Sequence, residues 1–131
     1  MKNLSQYIQE KLIIKKRNNS YNYFPSTREE LREIIKERIE QEGDKVDLND
    51  IDVSEITDMS ELFKNTRFNG DISFWDVSNV TDMRFMFCEC ENFNQDISSW
   101  DVSKVKYIRY MFDKCPIENK YKPKFKISLD N

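Results

Sequence analysis

Apolar positions in the middle of the chain recur with a fixed period. Met59, Leu62 and Phe63 are followed by Met83, Met86 and Phe87, then by Ile108, Met111 and Phe112, at steps of 24 and 25 residues. Within each set the spacing is i, i+3, i+4. This is one face of a short helix, and Thr81 or Asp82 is placed to cap the second copy. Between the sets, Phe68-Asn69-Gly70-Asp71-Ile72-Ser73 matches Phe93-Asn94-Gln95-Asp96-Ile97-Ser98. Asp52-Val53-Ser54, Asp76-Val77-Ser78 and Asp101-Val102-Ser103 mark three copies of a further motif, the last two preceded by Trp75 and Trp100. The stretch from Phe93 to Val102 sets Ile97, Trp100 and Val102 among Ser and Asp, which predicts a turn leading into a short strand. Each unit then reads as a helix followed by a strand. One such unit cannot bury its apolar face alone and needs its neighbours to complete a core.

The flanks have different patterns. Leu4, Tyr7, Ile8 and Leu12 predict a helix over residues 3–16, and Tyr21, Tyr23, Phe24 and Pro25 make an aromatic connector. A second helix is predicted from about Thr27 to Glu42. Thr27 and Glu30 have capping-box spacing, Leu31, Ile34, Ile35 and Ile39 form the buried stripe, and Gly43 stands where a helix ends. After Pro116, Tyr121 to Ile127 alternates lysine with apolar residues, which predicts a half-buried edge strand guarded by its lysines. The expected fold is therefore α+β: a short leucine-rich-repeat-like solenoid of helix–strand units of about 25 residues, with an N-terminal helical cap. Residues 1–46 form a two-helix cap, 47–115 the repeat solenoid and 116–131 a C-terminal capping strand or tail, all within one cooperative domain.

Composition narrows the chemistry. The chain has 131 residues and no histidine, which removes the commonest general base and metal ligand. Its two glycines, Gly43 and Gly70, are too far apart for a glycine-rich phosphate cradle. The net charge of −3 is unevenly spread: residues 1–46 carry ten basic and eight acidic side chains, 47–115 seven and fourteen, 116–131 four and two. An acidic centre between mildly basic ends does not suit a nucleic-acid groove, so no nucleic acid is expected as a partner. No apolar run approaches the roughly 18 residues of a membrane-spanning helix, so membrane insertion is not expected. Gln6, Gln9, Glu10 and Lys11 interrupt any signal-peptide layout. The expected location is cytoplasmic or virion-associated, with the cell surface reached only by an unrecognised route.

The run Trp75-Asp76-Val77-Ser78-Asn79-Val80-Thr81-Asp82-Met83, continued by Met86-Phe87, Cys90 and Phe93 to Trp100, resembles the bacterial surface-lipoprotein repeat of unassigned function, grouped with BspA-type leucine-rich repeats. The resemblance covers about residues 49–115. It implies a curved repeat solenoid, roles in adhesion or protein binding, and no known catalysis.

Candidate chemistry is sparse. Cys90 and Cys115 share a repeat position, which fits small buried residues; Cys88, Cys90 and Cys115 together lack the four-ligand spacing of a metal site. Asp52, Asp76 and Asp101, like Asp71 and Asp96, should lie in columns. Either each carboxylate caps its own turn or calcium lies between the units. Carboxylates repeated in every unit do not suggest a single hydrolytic site, and a triad has no histidine base. Neither an enzyme nor a cofactor is expected. The informative residues are those that differ between units: Phe74 stands where Ser99 does, Phe85 and Tyr110 where Glu61 does, Arg84 and Arg109 where Ser60 does. If Met83, Met86 and Phe87 face inward, Arg84, Phe85, Arg109 and Tyr110 form an outward patch, available either to pack on the N-terminal helices or to bind a protein. The expected function is a non-enzymatic protein-interaction module with a partner of unknown identity. The alternative is a self-associating structural subunit of a phage particle or other large assembly.

Overall fold

The computed structural model describes residues 21–127 and 131. The helix expected over residues 3–16, and with it half of the expected two-helix cap, lies outside the described residues.

The second helix forms as its sequence dictates. Helix α1 spans Arg28–Glu42, with the Thr27 side chain accepting the Glu30 N–H and the Gly43 N–H, at φ +93°, closing onto the Ile39 carbonyl. The Glu30 carboxylate reaches back to the Ser26 N–H. Leu31 and Ile35 are buried against the first repeat unit's core, while Ile34 and Ile39 are half-buried beside it. Arg38 completes this face and is 8% exposed.

The repeat units stack on one another, but not as helices and strands. In the first unit the N–H groups of Met59, Glu61, Phe63 and Asn65 donate to the carbonyls of Asp82, Arg84, Met86 and Cys88, at 2.8–3.0 Å. In the second unit Met83, Phe85, Phe87 and Glu89 donate to Tyr107, Arg109, Met111 and Asp113, at 2.8–3.0 Å. The intervening N–H groups close local turns: Leu62 onto Met59, Lys64 onto Glu61, Thr66 onto Phe63, with the same pattern in the next two units. Backbone hydrogen bonding is thus shared residue by residue between the unit's own turns and the unit that follows.

This arrangement overturns the α+β leucine-rich-repeat-like solenoid of helix–strand units. Glu61, Asn65, Phe85, Glu89, Tyr110 and Lys114 all sit in the left-handed region, at φ +55° to +59°, and break any helix within each unit. N–H groups committed to the neighbouring unit cannot make the i→i−4 bonds a helix needs. Among the described residues strand pairing is limited to three isolated parallel bridges, Tyr23↔Ile51, Asp58↔Asp82 and Asp82↔Tyr107, and no sheet forms. The expected C-terminal capping strand is likewise absent from residues 116–127, which hold a single 3-10 turn at Asn119–Tyr121.

The core runs the length of the stack. Phe63 lies 5.3 Å from Phe87, which lies 5.7 Å from Phe112, the rings stacked nearly parallel. Phe68 stacks on Phe93 at 6.1 Å, and Trp75 on Trp100 at 6.4 Å and 5°. Each indole N–H donates to the carbonyl of the preceding unit, Trp75 to Leu48 and Trp100 to Ile72. Gly70 is required where the chain passes under Val46: a Cβ there would meet the Val46 carbonyl oxygen at 1.9 Å. Gln95, at the matching position one unit on, instead sends its amide N–H to the Asn69 carbonyl.

Candidate functional site

The aspartates serve the turns. The carboxylates of Asp52, Asp71, Asp76, Asp96 and Asp101 each accept the N–H of the serine two residues on, at 2.8–3.1 Å. Those of Asp71, Asp76 and Asp96 also take that serine's hydroxyl. Asp82 accepts the Arg84 N–H and the Arg84 guanidinium. Burial pushes the Asp71 and Asp82 carboxyls up, but the hydrogen bonds from Ser73 and from Arg84 outweigh it, and both end below the usual carboxylate range. Among the described residues no group of three or more Cys, Asp or Glu side chains is placed to hold a metal ion.

The cysteines are packing residues with free thiols. The Cys90 and Cys115 sulfurs donate to the Phe68 and Phe93 carbonyls one unit back. Burial pushes the Cys90 thiol up to about 11, and burial also raises Cys88 and Cys115. Such groups remain protonated thiols near neutral pH, poor as nucleophiles and as metal ligands.

The turn geometry brings three of the five expected contact residues, Phe85, Arg109 and Tyr110, into contact, and sets Arg84 on Tyr107 instead. Phe85 and Tyr110 occupy the same left-handed position in successive units, and their rings lie 5.3 Å apart at 39°. The Lys64 ammonium stands 5.1 Å from the Phe85 ring centre and the Arg109 guanidinium 5.8 Å from that of Tyr110. Arg84 lies 5.0 Å over the Tyr107 ring while paired with Asp82 at 2.7 Å. Asp82 holds the Arg84 guanidinium firmly charged, through hydrogen bonds first and charge attraction second. Tyr107 is 46% exposed and Tyr110 is 56% exposed, whereas Phe85 is half-covered by its neighbours. Phe74 is 80% exposed and makes no ring contact with the other four. The result is a surface ladder of aromatic rings flanked by cations: the pair Phe85–Tyr110 between Lys64 and Arg109, and Tyr107 under Arg84.

Two contributors were not anticipated from the sequence. Tyr107 replaces the aspartate of the second unit's Thr-Asp-Met, a substitution that reads as decay of the motif until stacking places it under Arg84. Arg38 belongs to the other end of the molecule. It holds both Asp50 oxygens at 2.9 and 3.1 Å, the Glu42 carboxylate and the Asp47 carbonyl, and lies 5.1 Å over the Tyr23 ring. Burial disfavours its charge, but the hydrogen bonds it donates to Asp50 and Glu42 more than restore it. Its position seven residues after Leu31 on the buried stripe was the available signal.

Among the described residues no helix is long and apolar enough to cross a membrane. No curated protein and no solved structure matches the chain. Residues 30–129, which include α1 from Glu30 onward and every stacked turn, match the family model described as "Mycoplasma protein of unknown function, DUF285", and the chain belongs to that family.

Proposed function

We propose that the chain is a non-enzymatic protein-interaction module whose contact face is the ladder of Arg84, Phe85, Tyr107, Arg109 and Tyr110, with Lys64 at its edge. One observation carries the reading: aromatic rings and cations recur at matching turn positions of successive units, in two contact groups, Lys64–Phe85–Tyr110–Arg109 and Arg84–Tyr107. Cation–ring pairs at exposed sites contribute about 0.5–1 kcal/mol each to stability, too little to explain why large apolar rings are kept at the surface. Rigid aromatic and arginine side chains are the residue types that anchor protein interfaces. Here the turns hold them in fixed register, so little side-chain freedom is lost on contact. A partner with carboxylates between apolar side chains complements the face.

The test is affinity capture from a lysate of the source cell, quantified by mass spectrometry. The Tyr107→Ala, Tyr110→Ala double variant should lose at least tenfold of any protein that the unaltered chain enriches, with unchanged circular dichroism. Phe74→Ala, which touches no member of the ladder, should retain it. Retention by the double variant together with loss in Phe74→Ala would move the interface elsewhere.

A further inference from the structure

The two ends of the stack differ in their hydrogen-bonding. At the first unit the outward edge is made of carbonyls, one of which is taken: the Arg28 guanidinium of α1 donates to the Ser60 carbonyl, and α1 buries Leu31 and Ile35 against the core. At the third unit the outward edge is made of N–H groups. Ile108, Tyr110, Phe112 and Lys114 occupy the positions whose counterparts, Met83, Phe85, Phe87 and Glu89, all donate to the next unit. Among the described residues none accepts from these four, although each counterpart bond is 2.8–3.0 Å long.

Beside this edge lies a groove of about 760 Å³, lined on one side by Ile108, Met111 and Phe112 and on the other by Pro123, Phe125 and Ile127. Lys122 and Lys124 stand on its rim against the single carboxylate of Asp113. The Lys122 ammonium lies 5.2 Å from the Phe112 ring centre. A row of unpaired N–H groups, an apolar trough and a cationic rim together select an acidic occupant able to present carbonyls at alternate residues.

We infer that this end is a docking edge for an acidic repeat unit of a partner protein, which adds to the third unit as the next turn layer. The occupant's chemistry is set by the layers already present. The unit from Asp76 to Ser103 carries six acidic side chains and one basic one, and it offers the Asp82, Arg84, Met86 and Cys88 carbonyls to the unit before it. A second copy of this chain is a poor occupant. On its own carbonyl edge the Ser60 carbonyl is already taken by Arg28 of α1, which would have to be displaced, and two third-unit edges would set donors against donors. The inference is independent of the ladder face, because it depends on backbone groups and on the groove.

The experiment is nuclear magnetic resonance on the full, isotope-labelled chain, titrated to millimolar concentration with a synthetic peptide of residues 76–103 carrying C88S and C90S. Without peptide, the amides of Ile108, Tyr110, Phe112 and Lys114 should exchange with solvent far faster than those of Met83, Phe85, Phe87 and Glu89. With peptide, the four should shift and become at least tenfold slower to exchange. The Lys122→Glu, Lys124→Glu variant should bind the peptide about tenfold more weakly. Absence of any response at millimolar peptide, or a response confined to other residues, would overturn the docking edge. Light scattering that finds dimers using the same four amides would instead assign the edge to a second copy and reject a partner's unit.

Discussion

At the residue scale, carboxylates replace regular secondary structure as the organisers of the backbone. Each Asp-x-Ser turn uses a carboxylate as its acceptor, and the chain repeats that arrangement six times. The Asp96 and Asp101 carboxyls, like those of Asp71 and Asp82, are held below their ordinary values; for the first two the cause is the hydrogen bonding of Ser98 and Ser103. A carboxyl with a folded-state value below the unfolded one, near 3.9, contributes stability above about pH 4, and that contribution is lost as pH falls through the folded value. The urea midpoint should therefore be nearly level between pH 7 and 5 and drop steeply below about pH 4. Asp71→Ala should lower the midpoint at pH 7 and soften that acid drop, since Ser73 loses its acceptor for both N–H and hydroxyl. A midpoint in Asp71→Ala equal to that of the unaltered chain at pH 7 would count against the turn role. These turns were legible in the sequence because Asp followed by Ser two residues on has a local mechanism that needs no tertiary knowledge.

At the element scale, legibility divides sharply. Helix α1 announced itself through Thr27, Glu30, the Leu31–Ile35 stripe and Gly43, each a local signal that the tertiary structure did not override. The Thr27 oxygen is the acceptor for the Glu30 N–H at 3.2 Å. Thr27→Ala should therefore cost about 1 kcal/mol and fray the first turn, visible as faster amide exchange at Glu30 and Leu31. Thr27→Asp should restore most of the loss, because aspartate caps as well as threonine does. Unchanged exchange in Thr27→Ala would mean that packing of Leu31 holds the first turn without the cap. The repeat turns misled because Met83, Met86 and Phe87 satisfy helical spacing and turn spacing equally. Consecutive three-residue turns also return side chains to one face at i, i+3 and i+4. What separates the two is the left-handed residue at positions 61, 85 and 110, and none of these is glycine. Glu, Phe and Tyr carry no local sign of such a conformation; it is imposed by the neighbouring unit's hydrogen bonds. The same dependence hid Tyr107, whose role exists only once Arg84 lies against it.

At the scale of the whole molecule, the periodic sequence correctly placed matching aromatics in contact, even though the elements that hold them are turns. Stability should then be distributed along the stack and be most concentrated where a side chain touches layers on both sides. Phe87 is such a residue. It is fully buried, lies 5.3 Å from Phe63, 4.2 Å from Phe93 and 5.7 Å from Phe112, and its N–H bonds the Met111 carbonyl. Truncation to alanine removes a ring from the middle of a column that neither neighbour can close without breaking its own backbone bonds. The cost should be about 3–5 kcal/mol, comparable to the roughly 5–15 kcal/mol by which a domain of this size is stable. Phe112 is half-buried and has a stacked partner on one side only, so Phe112→Ala should cost clearly less. Urea unfolding followed by tryptophan fluorescence and by far-ultraviolet dichroism measures both variants, and Trp75 and Trp100 report on the same stack. The two signals should move together, because no single layer has an interior of its own. Equal losses in Phe87→Ala and Phe112→Ala would mean that the aromatic column is not the structure's central support, and separate transitions would mean that the layers fold as independent pieces.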